Sequence, residues 1–216
     1  MNSISVQEIM KMPNAAILAE RVNSALAEEK AERERFYETI EENKKMEFIN
    51  GEIFFHSPVK KQHNSATGSI YKLLDTFVVK NNLGFVGFEK ILVSLSRNDY
   101  EPDVCFFRRD RAKDFDKRKM QFPAPDFVVE VLSPSTEEHD RETKFQDYAA
   151  HGVEEYWIVD PELEIVEQYI LNGEEYELLL KSGNGKIKSV AVEHFEIPIR
   201  SIFDEQENLK TLQEII

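Results

Sequence analysis

The sequence predicts a mixed α/β (α+β) fold, a central sheet flanked by helices, with an N-terminal helical extension ahead of it. Three observations carry that expectation. Phe127 to Leu132 is an almost wholly apolar, β-branched run, followed by a helical stretch and a second strand at Val153 to Val159. Strand, helix and strand on short links form a crossover with parallel strands. Met46 to Ser57 has the pattern of a hairpin around Asn50-Gly51, a pair that accepts the positive φ angles of a tight turn. Between them, Asn64 to Lys80 carries Ile70, Leu73, Leu74, Phe77 and Val78 at helical spacing.

Taken in order, residues 1–45 form the helical extension and residues 46–216 the main domain. Asn14, after Pro13, is the expected N-cap of a helix over residues 14–45. Leu18, Val22 and Ala25 share one face, and Phe36 and Ile40 continue an apolar stripe suited to docking on the core or on a second subunit. Phe85 to Leu95 and Tyr100 to Phe107 are expected strands, joined by a turn at Ser96 to Asp99. Ser133-Pro134 ends the apolar strand at Leu132, and Ser135 with Glu138 has capping-box spacing for the crossover helix. Gly152 is placed to end that helix. Beyond Pro161, further strands turn at Asn172-Gly173 and Gly183-Asn184-Gly185 and carry no chemical signal.

Composition narrows the class. With 216 residues and 41% hydrophobic content, the chain can bury a full core without staples. Its one cysteine, Cys105, excludes an intrachain disulfide and fits a reducing compartment. Met1 to Lys11 shows no basic segment leading into an apolar run, and no stretch approaches 18 apolar residues. A cytoplasmic protein without a membrane span is therefore expected. The formal charge of −14 opposes non-specific nucleic-acid binding, but it is unevenly spread. Residues 151–216 hold 5 basic and 15 acidic side chains, whereas Arg108 to Lys119 holds seven basic and three acidic ones. That loop is either a solvated charge run or, through Arg108, Arg109 and Arg111, a contact for a phosphate backbone.

Two carboxylates stand in apolar strands, Asp103 after Pro102 and Glu130 within Phe127 to Leu132. A carboxylate so placed is costly unless it is paired or binds a metal. Hard divalent cations take oxygen ligands, and Mg²⁺ commonly uses one or two carboxylates with water and phosphate. Glu130 lies five residues, about 16 Å, before Ser135. Lys144 comes nine residues after Ser135 and returns by about 13 Å along a helix, nearly level with Glu130. Its ammonium can reach the same site from the edge of the apolar face formed by Phe145, Tyr148 and Ala149. Bland alternatives exist for each: a solvated Asp103, a structural ion pair at Glu130, a Lys144–Asp140 pair one turn apart. Glu52, after the hairpin turn, and His63, at a helix start, are secondary candidates. Asp126 shares a strand face with Glu130 but stands at the strand's start. The five histidines lack zinc-ligand spacing.

Pro102-Asp103, the run Pro125 to Thr136, Asp140 through Lys144, Tyr148, Gly152-Val153 and Glu155 to Pro161 resemble the signature of the Uma-type family of restriction-endonuclease-like proteins. Asn50 to Ile53, Ser57-Pro58 and His63 resemble its N-terminal motifs, so that the likeness spans about residues 35 to 180. The family is placed in the PD-(D/E)XK nuclease superfamily. The resemblance implies a restriction-endonuclease-like mixed central sheet flanked by helices, with Asp103 and Glu130 as Mg²⁺ (or Mn²⁺) ligands and the Val131 carbonyl as a further one. The lysine of that motif is expected two residues after Glu130, where this chain has Leu132; the resemblance implies that Lys144 replaces it from the helix.

The function expected is a metal-dependent endonuclease on DNA, with Asp103, Glu130 and Lys144 catalytic and a homodimer to cut both strands. Two other classes fit the same residues: an interaction or regulatory module with a vestigial site, and a metal-dependent hydrolase of a small phosphate ester.

Overall fold

The structure is a computed structural model in which residues 5–41 and 44–216 are described. Helices α1 (Val6–Met10) and α2 (Ala15–Thr39) lead into the hairpin β1 (Met46–Ile49) and β2 (Glu52–Phe55). Helix α3 (Lys61–Asn81) is followed by β3 (Gly84–Phe88), β4 (Leu92–Ser94), β5 (Asp99–Tyr100), β6 (Val104–Arg108), α4 (Arg109–Ala112) and β7 (Gln121–Phe122). The crossover unit is β8 (Phe127–Val131), α5 (Glu137–Arg141), α6 (Thr143–Ala150) and β9 (Glu155–Asp160). Strands β10 (Ile165–Asn172), β11 (Glu175–Ser182), β12 (Lys186–Lys188) and β13 (Glu196–Pro198) precede α7 (Arg200–Phe203) and α8 (Glu205–Ile215).

The central sheet runs β11-β10-β9-β8-β6-β3. Its one parallel pair is β8–β9, as the crossover demands, and its other pairs are antiparallel. Strand alternation sorts the β8 side chains onto two faces. Phe127, Val129 and Val131 join Ile70, Leu73, Leu74 and Val78 of α3 in one core. Val128 points the other way, into a core with Tyr100, Tyr148, Tyr156 and Ile158. Glu130 has the parity of Val128 and lies on that second face, which is covered by α6 and a smaller sheet ordered β2-β1-β5-β4-β7. Helix α2 closes the outside of the smaller sheet, where Phe36 packs with Met46, Phe48 and Leu92.

Four sequence expectations shift, each for a local reason. The expected strand Phe85 to Leu95 is two strands in different sheets, because the chain turns at Glu89, whose φ is +56°. The strand Tyr100 to Phe107 divides at Pro102, which has no N–H to give to a ladder. The crossover helix is broken at Glu142 (φ −118°, ψ −74°), and its capping box does not form: Thr136 stands at the N-cap, and the Ser135 hydroxyl lies 3.1 Å from that of Ser133. The extension helix runs from Ala15 to Thr39, and Asn14 makes no side-chain cap. The end of the expected 14–45 helix includes Glu42 and Asn43, outside the described residues.

Candidate active site

The β6–β8 register pairs Val104 with Val129, which brings Asp103 and Glu130, one residue further out, to adjoining positions. The Asp103 amide lies 3.4 Å from Glu130 Oε2. Asp103 Oδ2 accepts from the Val131 N–H at 2.9 Å and lies 3.3 Å from His63 Nε2. Its other oxygen, Oδ1, is 2.8 Å from the ammonium of Lys45. Extending the register by one more residue sets Pro102 opposite Val131. Within a strand, N–H and C=O of one residue face the same side, so the Val131 carbonyl faces β6, where proline offers no donor.

Glu130 Oε1 accepts from Lys144 Nζ at 3.1 Å and from the Tyr148 hydroxyl at 3.2 Å. Lys144 and Tyr148, four residues apart on α6, share a face. The Lys144 ammonium also lies 3.0 Å from Glu47 Oε1 and 3.0 Å from Asp140 Oδ1, with the Tyr100 ring centroid 5.7 Å away. Glu47, on β1, accepts from the Glu101 amide at 2.9 Å and sits 3.0 Å from His56 Nε2. Asp103, Glu130, Lys45, Lys144, His56 and His63 line one cavity of about 530 Å³, with the hydroxyls of Ser57, Ser133, Ser135 and Thr136.

Burial and crowding set the proton affinities. Burial alone would raise Asp103, but Lys45 and His63 hold it below the usual carboxylate range. Glu47, likewise buried, is drawn down to about 2, chiefly by Lys144 and then by His56. Glu130 goes the other way, to about 8: burial dominates, Lys144 only partly offsets it, and Asp140, Asp103 and Glu47 add like charge. Burial would lower Lys144, yet its three carboxylate neighbours hold it well above the usual lysine range.

The structure thus brings Asp103, Glu130, Lys144 and the Val131 backbone together, and His63 with them. Glu52 is apart: it is exposed on β2, opposite Ile49. Arg108 is the last residue of β6, about 16 Å along the strand from Asp103, and Arg109 and Arg111 follow it on α4. Arg108 and Arg111 are paired there with Asp126, at 3.1 and 3.0 Å, so the basic loop does not border the cavity. Sequence reasoning missed Glu47 and Lys45. Glu47 carried the signal that singled out Glu130, a carboxylate inside an apolar run, Met46 to Ile49. Lys45 sits in a charged stretch and offered none.

Among the described residues no group of three or more His, Cys, Asp or Glu side chains is arranged to hold a metal ion. The residues expected to do so number two carboxylates and a carbonyl, a set of hard oxygen donors of the kind Mg²⁺ takes with water and phosphate. The donor chemistry fits: Asp103 and Glu130 come from adjoining strands, and the Val131 carbonyl faces the same side.

The overall likeness is to a nuclease fold. A crystal structure described as a putative nuclease belonging to DUF820, from Anabaena variabilis ATCC 29413, superposes with a TM-score of 0.68 at 18% identity, over 82% of this chain and 96% of that one. The fold is a mixed α/β architecture with helices flanking mixed sheets, as that neighbour has. Residues 32–200 match the Uma2 family, whose description is "Putative restriction endonuclease", and the chain belongs to that family. A relative called "Uncharacterized protein sll1609", from Synechocystis sp. PCC 6803, is 29% identical over 137 residues, 62% of this chain and 77% of its own length. No described helix is long and apolar enough to cross a membrane.

Proposed function

We propose that this protein is a metal-dependent endonuclease that hydrolyses phosphodiester bonds in DNA. The observation that supports it most is the meeting of Asp103 and Glu130, from adjoining strands, in an open cavity that Lys44, Lys45 and Lys144 also line. The description of the family and of the structural neighbour as nucleases supports the same reading.

Asp103, Glu130 and the Val131 carbonyl are the groups that would hold Mg²⁺ or Mn²⁺. Bound there, the ion would supply Lewis-acid polarisation of a phosphoryl oxygen and a more acidic water. The protein's own groups do the rest. The Ser57, Ser133, Ser135 and Thr136 hydroxyls line the cavity and can donate to phosphate oxygens. Lys144 holds Glu47, Glu130 and Asp140 in place. Hydrolysis adds water to phosphorus, breaks one P–O ester bond and protonates the oxygen that leaves.

The test is nicking of supercoiled plasmid by purified protein with and without Mg²⁺. Conversion is expected for the wild type with metal, and at least about a hundredfold loss for Asp103→Asn and Glu130→Gln. Equal nicking by these variants and the wild type would show that the activity lies elsewhere. One observation favours a second reading, a vestigial site kept for binding. Lys144 is buried, with three carboxylates within 3.1 Å, the surroundings of a structural ion-pair cluster. A wild-type protein that binds DNA but never nicks it would establish that reading instead. Action on nucleotides but not on plasmid would point to small phosphate esters.

A further inference from the structure

Three lysines line the cavity; Lys44, at its exposed edge, pairs with Glu41 at 2.6 Å, and the other two have different surroundings. Lys144 comes from α6, its side chain is 1% exposed, and three carboxylates lie 3.0 to 3.1 Å from its ammonium, which donates to Glu130 Oε1. An ammonium so buried is held among Glu47, Glu130 and Asp140 and offers little surface to a ligand. Lys45 lies immediately before β1. Its side chain is 19% exposed and makes one short contact, 2.8 Å to Asp103 Oδ1, with Glu89 Oε2 at 3.7 Å. The Lys45 carbonyl is anchored by the His56 amide at 3.1 Å, so the backbone is held while the long side chain can swing.

Charge balance gives this contact a meaning. Lys45 and Lys144 are the ammoniums within 3.1 Å of the carboxylates of Asp103, Glu130, Glu47 and Asp140, and His63 and His56 stand beside Asp103 and Glu47 at 3.3 and 3.0 Å. Lys144 is shared among Glu47, Glu130 and Asp140, so the ammonium on Asp103 is that of Lys45, with the His63 ring 3.3 Å from its other oxygen. Asp103 is also the carboxylate assigned above to a divalent ion. Lys45 and that ion would therefore compete for the same carboxylate.

We propose that Lys45 is the substrate-facing lysine of this site: its ammonium holds Asp103 while no metal is bound, and on metal binding it is released to contact the phosphoryl oxygens of the substrate. This rests on the metal-dependent reading given above and adds to it a residue outside the family signature used to find the site. Lys144 is then a positioning residue, acting through Glu130 and Glu47.

The experiment pairs Mn²⁺ titration calorimetry with plasmid nicking, on the wild type, Lys45→Met and Lys45→Arg. Removing the competing charge is expected to tighten Mn²⁺ binding by roughly tenfold in Lys45→Met, within the usual range for coupling between neighbouring sites. The same variant is expected to nick at least about a hundredfold more slowly, with Lys45→Arg recovering part of the rate. A merely structural lysine would not improve metal binding when lost. Should Lys45→Met fail to fold, as read by thermal unfolding, Lys45→Gln carries the same expectations. Mn²⁺ binding unchanged or weakened in the variant, or nicking at the wild-type rate, overturns the assignment of Lys45 while leaving the metal-dependent reading intact. A wild type that neither takes up Mn²⁺ nor nicks overturns both.

Discussion

Lys144 illustrates how a single buried charge organises this molecule. A lone ammonium in a dry interior is costly, and it is tolerated here because Glu47, Glu130 and Asp140 approach to 3.0–3.1 Å from three separate elements. The pairing also works in reverse, since those carboxylates need a cation once they are buried. Lys144→Met is therefore expected to lower stability by about 3–5 kcal/mol, the usual cost of leaving buried charge unpaired, visible as a lower urea midpoint. Stability unchanged within about 1 kcal/mol would mean that the carboxylates simply take up protons. Legibility at this scale depended on context. Asp103 and Glu130 were visible because charge inside an apolar run is rare and costly. Lys144 could be levelled with Glu130 by helix and strand rises alone, but nothing local showed that three carboxylates would surround it. Glu52, named because it follows the turn, is exposed on β2, whereas Glu47, which was missed, lies on β1, buried along its whole length.

At the scale of elements, α2 is fastened to the core by Arg33. Its guanidinium is 2.6 and 2.9 Å from the two oxygens of Asp99, a residue with no exposed surface, and also donates to the carbonyls of Leu95, Ser96 and Asn98. Tyr37 adds its hydroxyl to the same carboxylate at 2.9 Å. Lysine cannot reproduce that fork. Arg33→Ala is expected to cost about 3 kcal/mol and to speed amide hydrogen exchange selectively along α2. Uniform exchange across the protein would instead make α2 part of the global unfolding unit. The helix was legible from its apolar spacing, and its docking on this chain's own core was one of two expected outcomes. The breaks were less legible. Glu89 adopts φ +56° without being glycine or asparagine, and the turn there follows from tertiary packing rather than from local propensity. The break at Glu142 had no proline or glycine to announce it.

At the scale of the whole molecule, the crossover unit decides where the chemistry sits. A parallel β8–β9 pair needs a return over one face of the sheet, and α6 delivers Lys144 and Tyr148 to Glu130 on that face. This topology was readable from the alternation of apolar runs and helix spacing between Phe127 and Val159. The second, smaller sheet was not, because its strands have two to four residues and its order joins segments distant in sequence. The charged surface contributes to acid sensitivity. Glu167 is held at about 2: burial would raise it, but Arg141, Tyr169 and Lys181 donate to its oxygens. A carboxylate lowered from about 4.3 in the unfolded chain stabilises the fold fully above that pH and loses the contribution as pH falls toward 2. The difference in urea midpoint between the wild type and Glu167→Gln should accordingly be largest near pH 7 and shrink below pH 4.3, roughly. A difference independent of pH would assign the effect of Glu167 to packing.

The proposed divalent-ion site ties these scales together, since two strands, one helix and the N-terminal hairpin all end at it. Its most direct test is anomalous X-ray scattering from crystals soaked in Mn²⁺. A single peak is expected between Asp103 and Glu130, about 2.0–2.3 Å from their oxygens and from the Val131 carbonyl, and absent in Asp103→Asn. No peak in the cavity, or a peak that persists without the Asp103 carboxylate, would contradict a metal site at these residues.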